Sequence, residues 1–259
     1  MGKVIAIVNQ KGGVGKTTTT VNLAGIIAGM GYKTLLVDVD PQGNSTLGVG
    51  FDKEDDEKTI YDIMLDGVPV KTAIRESKIE NLDIITSNID LAGAEVELVN
   101  EDERETRLKE SLRDVRNEYD FILMDCPPSL GLLTLNALTA ADSVLIPIQC
   151  EYYALDGLGQ LISTIENVKN ALNTDLYIEG VVITMFDSRT NLAVQVVEDV
   201  KSKFGKRVYE TIIPRNIRLS EAPSFGQPIH IYDKASKGAA AYRALAEEIV
   251  KINEKERVS

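Results

Sequence analysis

The chain has 259 residues, is 44% hydrophobic and 26% charged, and carries a formal net charge of −12 with two cysteines. That much apolar chain can bury one large α/β core without disulfide staples, and Cys126 and Cys150 are too far apart for a CxxC metal or redox pair. No apolar run reaches the length of a membrane span and no secretory signal precedes the first one, so a soluble cytoplasmic protein is expected.

In chain order, KVIAIVN (3–9) predicts a strand and 16–30 a helix, and TLLVD (34–38) predicts a second strand. LDIIT (82–86) reads as a strand, followed by helical patterns near 91–98 and 103–117. FILMD (121–125), SVLIPI (143–148) and EGVVITMF (179–186) are strands, trailed by helices near 131–141, 154–171 and 191–204; a last helix spans 235–256. Strands apolar on both faces suit a parallel sheet covered on each side. Alternating β and α elements predict an α/β fold: a doubly wound, mostly parallel sheet with right-handed crossovers. No repeat, low-complexity tract or linker interrupts the pattern, so one domain over 1–259 is expected. The acidic run DKEDDE (52–57) reads as a solvated loop. His230, in the β-like PIHIYD, is expected to be structural.

Charge is unevenly distributed. Residues 1–185 carry 15 basic and 30 acidic side chains, whereas 186–259 carry 13 and 10. Within 201–218, Lys201, Lys203, Lys206, Arg207, Arg215 and Arg218 oppose only Glu210. Such asymmetry points to a local anion-binding surface on an acidic chain.

NQKGGVGKTTT (9–19) follows the first strand and opens the first helix, the setting of a phosphate-binding loop. Gly12, Gly13 and Gly15 let backbone N–H groups close around phosphate oxygens, with Val14 between them. The helix start, with Lys16, Thr17 and Thr18, presents its positive end to the same anion. Lys16 is expected to bridge the β- and γ-phosphates, and the Thr17 hydroxyl to ligate Mg²⁺. Asp125 ends an apolar strand at the carboxyl edge of the sheet and suits a Mg²⁺ site, reached through water. LLVDVDPQGN places Asp38 and Asp40 at another strand end. Asp40 is better placed to orient an attacking water, with Asp38 as the rival; spacing leaves both open. Lys11, one lysine more than a phosphate loop needs, has no role from spacing.

On KGGVGKTTT, DVDPQGN, DCPPSLGLLTLNAL, QCEYYALDGL and IPRNIRLSEAPSFGQPI, in order from end to end, the chain resembles the Soj-type ParA partitioning ATPases. These belong to the deviant Walker A class of P-loop NTPases, which also contains MinD. The resemblance implies that Lys11 reaches across a nucleotide-sandwich homodimer to the phosphates of the other subunit. A cation from a second chain can neutralise charge developing in phosphoryl transfer, so ATP would act as a dimerisation switch. The resemblance also brings Pro214 and Asn216, in IPRN, to the adenine.

Relatives of this kind bind double-stranded DNA without sequence preference once dimeric, through contacts that resemble Arg189 and Arg218. Arginine suits phosphate because its planar fork makes paired hydrogen bonds. A ParB-type partner with a basic N-terminal segment is implied to stimulate hydrolysis, in the cytoplasm and on the nucleoid. A MinD-like membrane anchor is not expected, because EEIVKINEKERVS lacks an apolar, aromatic face. An iron–sulfur reductase would need two cysteines at the dimer face, and Cys150 offers no convincing partner to Cys126. A nucleotide-binding scaffold without turnover is the remaining rival.

Overall fold

The computed structural model describes residues 2–53, 57–151 and 157–258. Half of the acidic run at 52–57 (residues 54–56), the centre of QCEYYALDGL and the predicted helix start at 154 lie outside them. Eight strands form one sheet: β1 (Lys3–Ile7), β2 (Thr34–Asp38), β3 (Ile74–Glu76), β4 (Leu82–Ile85), β5 (Phe121–Asp125), β6 (Ser143–Gln149), β7 (Tyr177–Phe186) and β8 (Val208–Pro214). Their order is β3-β4-β2-β5-β1-β6-β7-β8, and every pairing is parallel except β3 with β4. The doubly wound, mostly parallel sheet expected from the sequence is the observed one.

The helices, in order, are α1 (Lys16–Gly29), α2 (Asn44–Gly48), α3 (Ile60–Leu65), α4 (Leu91–Glu97), α5 (Arg107–Arg113) and α6 (Leu132–Ala140), then α7 (Leu158–Ala171), α8 (Asn191–Phe204), α9 (Ile217–Glu221), α10 (Ile229–Tyr232) and α11 (Lys237–Val258). One core layer joins α3 to α8 to one face of the sheet; a second joins α1 and α11 to the other. Strands β2 and β5 are buried at every position, which is why they read as continuous apolar runs.

Several expectations need correction. The helix predicted over 103–117 is only α5, with turns before it and a 3-10 turn at Arg116–Glu118 after it. His230 lies in the one-turn helix α10, not in a strand. Pro228 begins that turn and Asn22 Oδ1, on α1, accepts the Ile229 N–H at 2.6 Å, so a tertiary contact overrides the β-like alternation. The short elements α2, α3, α9 and β3 escaped the reading because so few residues carry no periodicity.

β1 lies at the point where the winding reverses, between β5 and β6. The loops after these strands therefore diverge and leave a crevice at the carboxyl edge of the sheet, directly beyond β1.

Candidate nucleotide site

The loop between β1 and α1 occupies that crevice. Gly13 and Gly15 have φ of +74° and +90°, a left-handed backbone that L side chains rarely adopt. A Cβ on Gly12 or Gly13 would meet nothing within 4 Å, so the loop rim is open on the side a ligand would approach. The loop is pinned from behind: Thr184 Oγ1, on β7, donates to the Val14 carbonyl at 2.8 Å. Val14 itself is buried and contributes backbone, not an exposed side chain.

A cavity of about 370 Å³ lies over the loop, lined by Gly12, Gly13, Gly15, Lys16, Thr17 and Thr18 together with Asp40, Gln42, Asn44, Pro128 and Met185. The Lys16 ammonium donates to the Lys11 carbonyl at 3.2 Å. Burial lowers its pKa, opposed by the charges of Asp125 and Asp40. A second cavity of about 350 Å³ shares Gly15, Thr18 and Met185 with the first and is walled by Pro214, Asn216, Leu219 and Tyr242. The predicted base-contacting residues thus flank a cleft continuous with the phosphate loop. Asn216 also caps α9, its Oδ1 accepting the Arg218 N–H at 2.8 Å.

Asp40 lines the cavity over the loop, and its carboxylate accepts the Gln42 N–H at 2.9 Å. Asp38 does not line it. Asp38 is fully buried, with Oδ2 accepting both the N–H and the hydroxyl of Thr46 at 2.8 Å and Oδ1 the Asp40 N–H at 3.2 Å. Asp125 is equally buried and accepts from Ser45 Oγ at 2.7 Å and Thr20 Oγ1 at 3.3 Å, with a further hydrogen bond from Thr17. Thr17 lines the cavity and hydrogen-bonds to Asp125, buried just behind it, so the two offer a hard hydroxyl and carboxylate oxygen pair of the kind that suits Mg²⁺. Burial raises the pKa of both Asp38 and Asp125.

Lys11 stands apart from its neighbours. It does not line the cavity that Lys16 lines; it borders an adjoining hollow with Gln10, Pro128, Ser129, Leu130, Gly157 and Gln160. Its ammonium lies 3.5 Å from Glu151, with both side chains partly exposed. Arg189 and Arg218 lie outside both cavities. Arg189 is 86% exposed and forms a bidentate pair with Asp187 at 2.6 and 2.8 Å. Arg218 pairs with Glu221 at 2.8 Å and Asp233 at 3.6 Å.

Sequence reasoning missed Gln42, Asn44, Pro128 and Met185 as lining residues, and Ser45 and Thr46 as partners of the buried carboxylates. Their signal was present in DPQGNST and DCPPS, next to the aspartates already singled out. Met185 left no signal; its φ of +51° reflects the tertiary structure around the end of β7.

A family model described as an AAA domain matches residues 2–178. Over 96% of its length the chain is 59% identical to the sporulation initiation inhibitor protein Soj of Bacillus subtilis, covering 98% of that protein. It is 56% identical to the chromosome partitioning protein ParA of Myxococcus xanthus, over 97% of this chain and 89% of that one. Among solved structures, cobyrinic acid a,c-diamide synthase from Mycobacterium smegmatis with bound ADP and magnesium superposes with a TM-score of 0.85 at 37% identity, over 97% and 95% of the two chains. With its phosphate loop, buried carboxylates and end-to-end likeness to these proteins, the chain belongs to the ParA/Soj family of chromosome-partitioning ATPases.

Proposed function

We propose that residues 1–259 form a single ATPase domain that partitions chromosome or plasmid DNA. ATP and Mg²⁺ are its substrate and metal; the solved relative described above holds ADP and magnesium in the same fold. Lys16 and the loop N–H groups would hold the phosphates, Thr17 would ligate the metal with Asp125 reaching it through water, Asp40 would orient the attacking water, and Pro214 with Asn216 would seat the base. Mg²⁺ supplies charge neutralisation at the β- and γ-phosphates when bound.

The observation that carries the dimer is the position of Lys11. A phosphate-loop lysine that borders a different hollow from its own phosphate cavity, and whose ammonium among the described residues is held by a partly exposed pair with Glu151, is free to serve the nucleotide of a second subunit. An exposed pair of this kind stabilises by about 1 kcal/mol or less, so it yields easily to a phosphate. The ATP-bound homodimer then binds double-stranded DNA nonspecifically through Arg189 and Arg218. Hydrolysis, stimulated by a ParB-type partner, returns it to the monomer in the cytoplasm, off the nucleoid. The 59% identity to a Soj protein, against 37% to the synthase, supports partitioning over amide synthesis.

Light scattering with ADP and with a non-hydrolysable ATP analogue tests the core of this reading. Dimers only with the ATP analogue, lost in Lys11→Ala, are expected. A monomer under both nucleotides would overturn it.

A further inference from the structure

The segment from Ile89 to Asn100 is helical or turned throughout and carries apolar residues on two opposite faces. Its inner stripe, Leu91, Ala94 and Leu98, is fully buried in the core. Its outer stripe is Ile89, Ala92, Val96 and Val99, at the i, i+3, i+7, i+10 spacing that aligns side chains along one side of a helix. Ile89 is 65% exposed, Val96 73% and Val99 50%. Single exposed apolar residues are ordinary, but a four-residue stripe on a helix already anchored by its other face marks a contact surface.

The surroundings define the chemistry of the occupant. Between Ile89 and Glu105 the chain has seven acidic residues and one basic residue, Arg104. Arg104 pairs with Glu105, and Arg107, just beyond, with Glu101, which leaves Asp90, Glu95, Glu97, Asp102 and Glu103 without an ion pair among the described residues. An apolar stripe rimmed by carboxylates complements a segment with apolar residues on one face and lysine or arginine beside them. It would repel DNA.

The surface also connects to the nucleotide. Glu95 packs against Gly131 so closely that a side chain there would collide with its carboxylate, and Glu95 Oε1 is buried without a hydrogen-bond donor among the described residues. Gly131 precedes α6, and three residues before it Pro128 lines the cavity over the phosphate loop.

We propose that the outer face of the 89–100 segment docks a basic amphipathic segment of the partner that stimulates hydrolysis. The assignment rests on the partner reading given above. The apolar stripe supplies the affinity, and the acidic rim supplies the steering and the salt dependence. Contact transmitted through Glu95 and Gly131 reaches the loop carrying Pro128.

Two variants test it, Val96→Lys for the stripe and Asp102→Lys for the rim, each checked for thermal unfolding and ATP-dependent dimerisation. The first probe is a labelled synthetic peptide with leucines on one helical face and lysines on the other; the second is stimulation of ATP hydrolysis by the ParB-type protein. We expect Val96→Lys to weaken peptide binding by about tenfold or more. Asp102→Lys should weaken it mainly at low salt, and both should blunt stimulation while basal hydrolysis is retained. Peptide binding and stimulation at wild-type levels in both variants would overturn the proposal. So would loss of dimerisation, which would make this face a contact between copies, or loss of peptide binding with full stimulation. If the wild-type protein is not stimulated at all, yet both variants lose the peptide, the docking face stands and the partner reading fails.

Discussion

Asp38 and Asp125 stand opposite one another in the parallel ladder of β2 and β5, both fully buried beneath the phosphate loop. Burial raises the pKa of each. For Asp38 the charge of Asp125 adds to the rise, whereas for Asp125 hydrogen bonds from Ser45 and Thr17 oppose it. Two buried carboxylates side by side repel one another when both are ionised, and for Asp125 the charge of Lys16 partly offsets this.

That strain has a pH signature. An acid whose folded pKa lies above its unfolded value keeps its proton longer in the native state. The stability it contributes is present at low pH and is lost as pH rises from the ordinary 3.8 through about 7. Nucleotide-free Asp38→Asn should lack this slope, which for one proton is at most about 1.4 kcal/mol per pH unit. Chemical denaturation of both proteins across about pH 5 to 8 measures it. Parallel wild-type and variant curves would show that Asp38 titrates like an ordinary carboxyl.

Lys16→Ala removes an ammonium that lines the phosphate cavity. A charge-assisted contact of this type is worth about 1.5–3 kcal/mol, so ATP affinity should fall about tenfold to a hundredfold and dimerisation should go with it. Calorimetric titration reads the affinity; wild-type binding would remove the phosphate loop from the site.

Asp40→Ala should separate binding from turnover, because Asp40 borders the cavity while Asp38 is engaged by Thr46 behind it. We expect ATP-dependent dimers that hydrolyse about a hundredfold or more slowly and stay on DNA. Turnover near the wild-type rate would move the role to another group.

The DNA contact is testable from both members of one ion pair. Asp187, pushed down to about 2 by hydrogen bonds from Arg189, remains ionised and paired at any working pH. Arg189→Glu and Arg218→Glu should weaken duplex binding on any sequence and flatten its salt dependence, with dimerisation retained. Asp187→Asn, by releasing Arg189, should instead strengthen binding. Filter binding at several salt concentrations checks all three; unchanged affinity and slope in the arginine variants would place the DNA surface elsewhere.

A packing prediction concerns Gly25 on α1. A Cβ there would approach His230 to 2.7 Å and Pro228 to 2.9 Å. Gly25→Val should therefore cost about 1–3 kcal/mol, and combination with His230→Ala should cost less than the sum of the two single changes. Urea melts of the four proteins decide it, and strict additivity would mean that α10 does not pack on Gly25.

What the sequence determined by itself was local. The glycine spacing of the phosphate loop, the strand before it and the helix after it are encoded within about thirty residues, and the buried strands read as apolar runs because both their faces are covered. The alternation of apolar strands with helical patterns was enough for the sheet class. The tertiary structure decided what spacing cannot express. Insertion of β5 between β1 and β2 brings Asp125 beside Asp38, 87 positions away in the chain, and only that pairing sets their shared burial. In LLVDVDPQGN the reading favoured Asp40 with Asp38 as its rival, and the fold separates them: Thr46 takes Asp38 and the cavity takes Asp40. The separation of Lys11 from the cavity of Lys16 depends on where β6 delivers Glu151. Periodicity reports which face of an element is apolar. Only the folded chain shows what covers that face, and on Val96 and Val99 it left the face exposed.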